Sequence, residues 1–492
     1  MDDGSMPPAD STDQAAVSGF LNRVFFHPLD YAGRGAVDAW PALFTRGYEI
    51  LERLSRQNPE ILPLEQMVDC VLNLTRHSKL MYYTAAVPLR GMLEARARCA
   101  EAYLAPRMPG AAGWKPERRV RRPGAPADLA VYMKTFAAYT ETFASLPFFQ
   151  ELDPCEFAVT VYVDNIRDGE MARAARARGA NIVVLEGNLL NKLARVRAGN
   201  HDTLLITSNT SAVVSEAFIF GLFRAARRQL VQFCQPYTTG LPGVDGFIVG
   251  RDLQVRPEDF SEELLPVDGS GVCFAPGAEE EPSAGEFSRE AFNIPRDAVV
   301  FVSGANYYKI KTELMDFWAR MLAENPGTAL VLFPFGPAWS SQYPAEEFMA
   351  RLRAAAEGRG VAPGRFVVCK PLPKRADIRR LIGLCDIYVD SFPYSGATSL
   401  LDPFFLRMPI VAMGTRTVCG GQGAGMLREC GLGELAAADE EGYMRLCRRL
   451  ARDPSCRAEI SARLARVMDA PTPPPFHDLA AFARKVGGFY RA

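Results

Sequence analysis

Between residues 128 and 250 the chain alternates short apolar runs with stretches of helical spacing, and between 298 and 413 it does so again. The first series holds DLAVYM, FAVTVYV, NIVVLE, TLLIT, RQLVQF and GFIVG, separated by Ala- and Arg-rich segments such as GEMARAARARG. The second holds AVVFVSG, TALVLFPF, RFVVCKP, DIYVDS and PIVAM, with TELMDFWARMLAE, EEFMARLRAAAEG and DIRRLIGLC between them. Runs this apolar belong to sheets covered on both faces, and a strand, helix, strand succession makes the strands parallel. Two doubly wound α/β units follow, joined by the irregular stretch 251–296 with its DGSGV and GAEEEPSAGE. Two such units enclose a cleft where strand-end loops can meet a ligand.

A chain of 492 residues exceeds one core, so further domains are expected. Residues 1–14, rich in Asp, Ser and Pro, read as disordered. Residues 15–105 read as an all-helical domain, with Leu43, Tyr48, Leu51 and Leu54 at helical spacing and no 34-residue repeat. Residues 106–127 read as a linker by their Pro and Gly content. Its basic run KPERRVRR is a solvated face or a contact for an acidic partner. The first α/β unit with its linker takes 128–296 and the second takes 297–470.

Composition excludes several classes. A formal net charge of −1 supplies no electrostatic reason for nucleic acid or an anionic membrane as partner. No 18-residue apolar run occurs, so membrane insertion is not expected, and the acidic start MDDGSMPPADSTDQAA is unlike a secretory signal. Eleven cysteines without a CxxC pair suit reduced thiols and a cytoplasmic location. The four histidines His27, His77, His201 and His477 lie far apart in sequence, and no zinc site is expected.

Three loops of the second unit carry polar residues at strand ends. In SGANYYKIKTEL, Lys309 lies just ahead of a helix. A lysine at about 4 Å from a phosphate charge gains about 4 kcal/mol at an effective dielectric near 20; a surface lysine would look the same in sequence. In CKPLPKRADIRR, the prolines fix an extended backbone whose amides and carbonyls can pair with a flat base, while Lys374 and Arg379 read equally as helix-face charges. In DSFPYSGATSLLD, Gly396 lets the chain turn and Thr398 and Ser399 fall at a helix start, where free amides favour an anion. Asp402, a turn further on, suits ribose hydroxyls, although capping alone accounts for the pattern.

In combination, YYKIKTELMDFWARML, FPF and CKPLPKRADIRRLIGLCDIYVDSFPYSGATSLLD resemble the catalytic region of the O-GlcNAc transferase and SPINDLY family of protein glycosyltransferases, a group that includes the bacterial cytoplasmic enzymes that glucosylate adhesin asparagines. RRQLVQFCQPYTTGLPGVDGFIVG is similar to a further family segment, and PPPFHDLAAFARKVGGFYRA to its closing helix, placed here at 471–492 and returning to the first unit. The resemblance implies the type B glycosyltransferase fold with two Rossmann-like halves. It further implies inverting, metal-independent transfer of a hexose or N-acetylhexosamine from UDP-glucose or UDP-GlcNAc to a protein Asn or Ser/Thr, with a bacterial surface protein or adhesin as one acceptor type. Carried onto this chain, Lys309 contacts the donor diphosphate with Asn306 near it, Thr398 and Ser399 bind the phosphates, Asp402 the ribose, and Leu372, Pro373 and Lys374 border the uracil. No DxD triplet occurs, in keeping with metal-free chemistry.

The chain departs from the family after its first catalytic strand. VYMKTFAAYTETFASL lacks the histidine loop, with Tyr139 about where the first histidine falls and Glu141 as the nearest proton acceptor or a solvated residue. GTRTVCGGQGAGM lacks the family's arginine, Arg416 being out of register. A small-molecule or glycan acceptor, and a nucleotide-sugar-binding regulatory protein without transferase activity, are the alternative readings.

Overall fold

The computed structural model describes residues 6–25, 35–58, 60, 63–67, 87–117, 124–211, 213–275, 281–336 and 343–491. His27, His77, the segment 68–86 and part of the basic run lie outside the described residues.

Two parallel sheets organise the chain. The first comprises β1 Ala127–Phe136, β2 Phe157–Ile166, β3 Asn181–Val184, β4 Thr203–Ile206, β5 Arg228–Val231, β6 Gly246–Gly250 and β7 Glu263–Val267, in the order β3-β2-β1-β4-β5-β6-β7. The second comprises β8 Val299–Ser303, β9 Thr328–Leu332, β10 Phe366–Val368, β11 Ile387–Val389, β12 Ile410–Met413 and β13 Ala436–Ala437, in the order β10-β9-β8-β11-β12-β13. Central strands such as TLLI (β4) and TALVL (β9) are buried along their whole length because helices cover both faces. The strand order reverses between β1 and β4 in one sheet and between β8 and β11 in the other, so each half opens a crevice at its carboxyl edge there.

The stretch 251–296 is less irregular than its sequence reads, because it contains β7, ELLPV, paired in parallel with β6. Pro266 disguises it. A proline removes a ladder donor, and β7 tolerates this because it is an edge strand whose other side needs no partner.

The N-terminal region is helical, with Gln14–Phe25, Ala36–Gln57 and Arg90–Leu104. Residues 6–13, read as disordered, lie against the second of these helices, where Arg53 Nη2 donates to the Ser11 carbonyl at 2.9 Å and Pro7 is buried. The region is docked on the first half. Arg96, 1% exposed, donates to the Ser211 carbonyl at 2.8 Å and stands 4.7 Å from the Phe218 ring centroid. Gly240, at φ +67°, lets the backbone of Leu93 approach so closely that an added Cβ would stand 2.5 Å from its carbonyl carbon. The helical region also reaches the second half, where Gly35 N donates to Glu313 Oε1 at 2.7 Å.

At the other end, the helix Leu479–Tyr490 packs on the first half. Tyr490 Oη donates to the Phe148 carbonyl at 3.0 Å, and the Phe148 and Phe482 rings meet edge to face at 4.9 Å. No helix among the described residues is long and apolar enough to cross a membrane.

Candidate active site

The stretch DSFPYSGATSLLD leaves β11 and folds around its first residue. Asp390, 2% exposed, accepts the amides of Ser391 at 2.9 Å and Gly396 at 2.7 Å on Oδ1, and the Ser395 hydroxyl at 2.5 Å on Oδ2. Burial raises its pKa, and these donors with the charge of Lys309 pull the other way. Ser395 then joins a fourth loop. Its Oγ accepts Gly423 N at 2.9 Å, and its amide donates to the Cys419 carbonyl at 2.9 Å. Gly423 has no room for a side chain, since a Cβ would stand 2.6 Å from Asp390 Oδ2.

Lys309 meets this hub. It ends a short 3-10 turn, Tyr307–Lys309, capped by Asn306, whose Oδ1 accepts Tyr308 N at 3.2 Å while its Nδ2 donates to the Gly336 carbonyl at 2.9 Å. The Lys309 ammonium donates to the Ser395 carbonyl at 2.7 Å and lies 4.4 Å from the Tyr394 ring centroid. Burial pushes its pKa down to about 8, opposed by the charge of Asp390 and by Cys419. A cation so placed is poorly hydrated; its direct partners are a neutral carbonyl and a ring, and the Asp390 carboxylate acts on it from further off, so an arriving anion would add a second counter-charge in direct contact.

The three loops singled out in sequence converge. Gly304 N donates to the Tyr388 hydroxyl at 3.1 Å, and a Cβ on Gly304 would stand 3.5 Å from Ser399 Cβ. Thr398–Leu400 is a 3-10 turn leading into the short helix Leu401–Phe405 rather than the first turn of an α-helix. From the proline loop, Arg375 donates to the Thr398 carbonyl at 3.0 Å and pairs with Asp402 Oδ2 at 3.4 Å, and Arg379 pairs with Asp402 Oδ1 at 2.9 Å. Arg379 is therefore not a helix-face charge but part of the turn's support. Leu372 is half-buried and Pro373 and Lys374 are exposed; Lys374 Nζ donates to the Glu281 carbonyl at 2.8 Å.

The first-half candidates separate. Tyr139, 49% exposed, accepts Arg167 Nη1 at 3.0 Å on its hydroxyl. Glu141, in the first turn of the helix Thr140–Ser145, engages Ser208 beyond the end of β4. The surrounding protein raises its pKa, with Ser208 and the charge of Lys134 opposing.

Several residues went unnoticed in sequence. Tyr237, in the loop between β5 and β6, hydrogen-bonds Cys419 across the cleft, beside Lys309. Glu429, also unnoticed, accepts the Ser270 amide at 2.7 Å and hydroxyl at 2.9 Å on Oε1, and Arg416, named in sequence as out of register, donates from Nε to the Gln254 carbonyl at 3.0 Å. These contacts tie the halves together. The one signal that sequence offered was Asp390 followed five and six residues on by Ser and Gly, a spacing that lets a carboxylate gather a loop's own donors.

Two Rossmann-like halves, with loops at their carboxyl edges meeting across a cleft, define the type B glycosyltransferase fold. Over 98% of both chains the protein superposes on a point mutant of the Thermobaculum terrenum O-GlcNAc transferase, with a TM-score of 0.67 and 19% identity, a likeness of fold. Residues 272–483 match the model of glycosyl transferase family 41. Over that region the chain is similar to O-GlcNAc transferase and SPINDLY proteins. It is 28% identical over 273 residues to "Probable UDP-N-acetylglucosamine--peptide N-acetylglucosaminyltransferase SPINDLY" of Petunia hybrida, covering 55% of this chain and 28% of that one. It is 28% identical over 177 residues to "UDP-N-acetylglucosamine--peptide N-acetylglucosaminyltransferase" of Caenorhabditis elegans, covering 36% of this chain and 14% of that one. The chain thus spans little more than a quarter of the plant relative's length.

Proposed function

We propose that the protein is an inverting glycosyltransferase that moves a hexose or N-acetylhexosamine from a UDP-sugar to a protein side chain without a metal ion. The observation that carries this is the convergence of Lys309, the Thr398–Ser399 turn and the proline loop on one strand-end crevice, in a family 41 domain. In the reaction, an acceptor nitrogen or oxygen attacks the anomeric carbon from the face opposite the diphosphate. The bond from that carbon to the phosphate oxygen breaks with its electron pair on the UDP, and the acceptor's proton passes to a base.

The Lys309 ammonium offsets the charge that grows on the diphosphate, where other enzymes place a divalent cation. Thr398 and Ser399 supply hydroxyls and amides to the same phosphates. The pKa of Glu141, raised by burial above that of an ordinary carboxyl, suits it to hold the acceptor's proton. Asn306 acts from behind by capping the turn that presents Lys309. Asp402 faces the ribose while its carboxylate is braced by arginines, and Leu372, Pro373 and Lys374 border the base. The acceptor is an Asn or a Ser/Thr of a protein, and a bacterial surface protein or adhesin is one such partner; the reaction runs in the cytoplasm, where UDP-sugars are made.

Purified protein incubated with labelled UDP-glucose or UDP-GlcNAc and candidate acceptors should release UDP and gain product mass, and Lys309→Ala should lose most of it. Equal turnover by the variant would sink the role of Lys309. The diversion of Tyr139 to Arg167 favours a second reading, a nucleotide-sugar-binding protein without transfer. Tight UDP binding with no turnover on any acceptor would select it.

A further inference from the structure

The turn that carries Thr398 and Ser399 is held from behind by two arginines that neither touch Lys309 nor follow from capping. Asp402 closes that turn, and its side chain is 5% exposed. Arg379 Nε reaches Oδ1 at 2.9 Å, and Arg375 Nε reaches Oδ2 at 3.4 Å. Arg375 has a second contact at the other end of the turn, where its Nη2 donates to the Thr398 carbonyl at 3.0 Å. The two arginines lie one turn apart on the helix Arg375–Ile382, so one helix face meets both ends of the Thr398–Asp402 segment. That helix is itself fixed by the linker, because Asp377 accepts the Ser283 amide and hydroxyl, each at 2.7 Å.

We propose that Arg375 and Arg379 are positioning residues of the donor site, holding the Thr398–Asp402 turn in the shape that receives the diphosphate; this rests on the donor-site reading above. Buried Leu400, Leu401 and Phe404 anchor the apolar side of the segment, whose helix, Leu401–Phe405, has only five residues, so the polar side of the turn depends on outside partners. A carboxylate as buried as that of Asp402 needs its charge compensated, and one arginine alone leaves half of it bare. The guanidinium groups, with side chains 39% and 43% exposed, stand at the rim, so removing one opens no cavity in the core.

The two arginines differ in a testable way. Arg375 spans two acceptors on separate residues from one planar fork, which a lysine's single ammonium cannot reproduce. Arg379 meets Asp402 through one nitrogen, a contact that a lysine can supply.

The test compares full-length Arg375→Ala, Arg375→Lys, Arg379→Ala and Arg379→Lys with the parent in three readouts: UDP affinity by calorimetry, donor KM against kcat, and ligand-free amide hydrogen exchange of residues 396–401. Both Arg375 variants should weaken UDP binding and raise donor KM by about tenfold, with kcat at saturating donor nearly unchanged, and should speed exchange of the turn by a similar factor while the amides of the surrounding sheet exchange as in the parent. Arg379→Lys should match the parent and Arg379→Ala fall between. Unchanged exchange and UDP affinity in Arg375→Ala would overturn the proposal, as would full rescue by Arg375→Lys. A parent that binds no UDP would overturn the donor-site reading instead, while the exchange rates would still decide whether the arginines hold the turn.

Discussion

The carbonyl oxygen of Ser395 takes the ammonium of Lys309 at 2.7 Å, while the Ser395 hydroxyl is bound to Asp390 at 2.5 Å. One small residue thus links the lysine of one strand-end loop to the buried carboxylate that shapes the next. Charges fixed in this way by the protein's own hydrogen bonds are the arrangement that electrostatic catalysis needs.

Lys309 carries the first prediction. Lys309→Met should cut turnover by about a hundredfold or more, the scale of losing one preorganised charge contact. Its pKa near 8 adds a pH signature. The ammonium, and with it the attraction for the diphosphate, is present below that value and lost above it. UDP affinity of the parent should therefore fall roughly tenfold per pH unit above 8, and that of Lys309→Met should stay flat. Titration calorimetry from pH 7 to 9.5 checks it.

Glu141 is testable apart from donor binding. Glu141→Gln keeps the shape but cannot take a proton, so kcat should drop by about a hundredfold while UDP affinity is unchanged. Because the carboxyl's pKa is raised, the acidic limb of the parent's pH–rate profile should lie above the ordinary carboxylate range. Equal kcat in the variant would remove Glu141 from the reaction.

Asp390 should matter for stability first. Asp390→Ala strands two amides and a hydroxyl in a buried loop, at a cost of about 3 kcal/mol. Urea unfolding should show it, with UDP binding reduced in parallel because Ser395 and Gly396 lose their anchor. A variant as stable as the parent would contradict the hub assigned to this carboxylate.

Glu429 predicts a pH-dependent joint between the halves. Burial beside Ser270 raises its pKa from the ordinary 4.5 to about 7, with the Ser270 bonds and Lys485 opposing. Between those values the unfolded chain gives up the proton while the folded chain keeps it, so this group's contribution to stability falls as pH rises from 4.5 to 7. Glu429→Gln cannot ionise. Relative to the parent it should gain up to about 3 kcal/mol between pH 4.5 and pH 8, at 1.36 kcal/mol per unit. Chemical denaturation at both pH values measures the difference.

Much of this architecture was legible because it rests on local rules. Apolar runs such as TLLIT and TALVLF announce buried parallel strands, and the loops with Lys309, Thr398 and Asp402 announce themselves by following such runs. Pro266 hid β7 because a breaker and an edge-strand residue look alike until the sheet is assembled. The role of Arg379 stayed open in sequence because nothing in its own segment shows that a carboxylate 23 residues later comes to meet it. Tyr139 and Glu141, two residues apart in sequence, have different surroundings, Arg167 for one and Ser208 for the other.

Sequence alone determined the two doubly wound units and the loops that end their strands, since periodicity and apolar content act over a few residues. The pairing of those loops was decided by tertiary structure. Ser395 with Cys419 and Gly423, Asp402 with two arginines, and Tyr237 with Cys419 across the cleft all join segments that are distant in the chain. Such pairs arise from strand order and domain packing, which bring distant hydrogen-bonding groups together and out of water, where each must find a partner or bear the cost of burial.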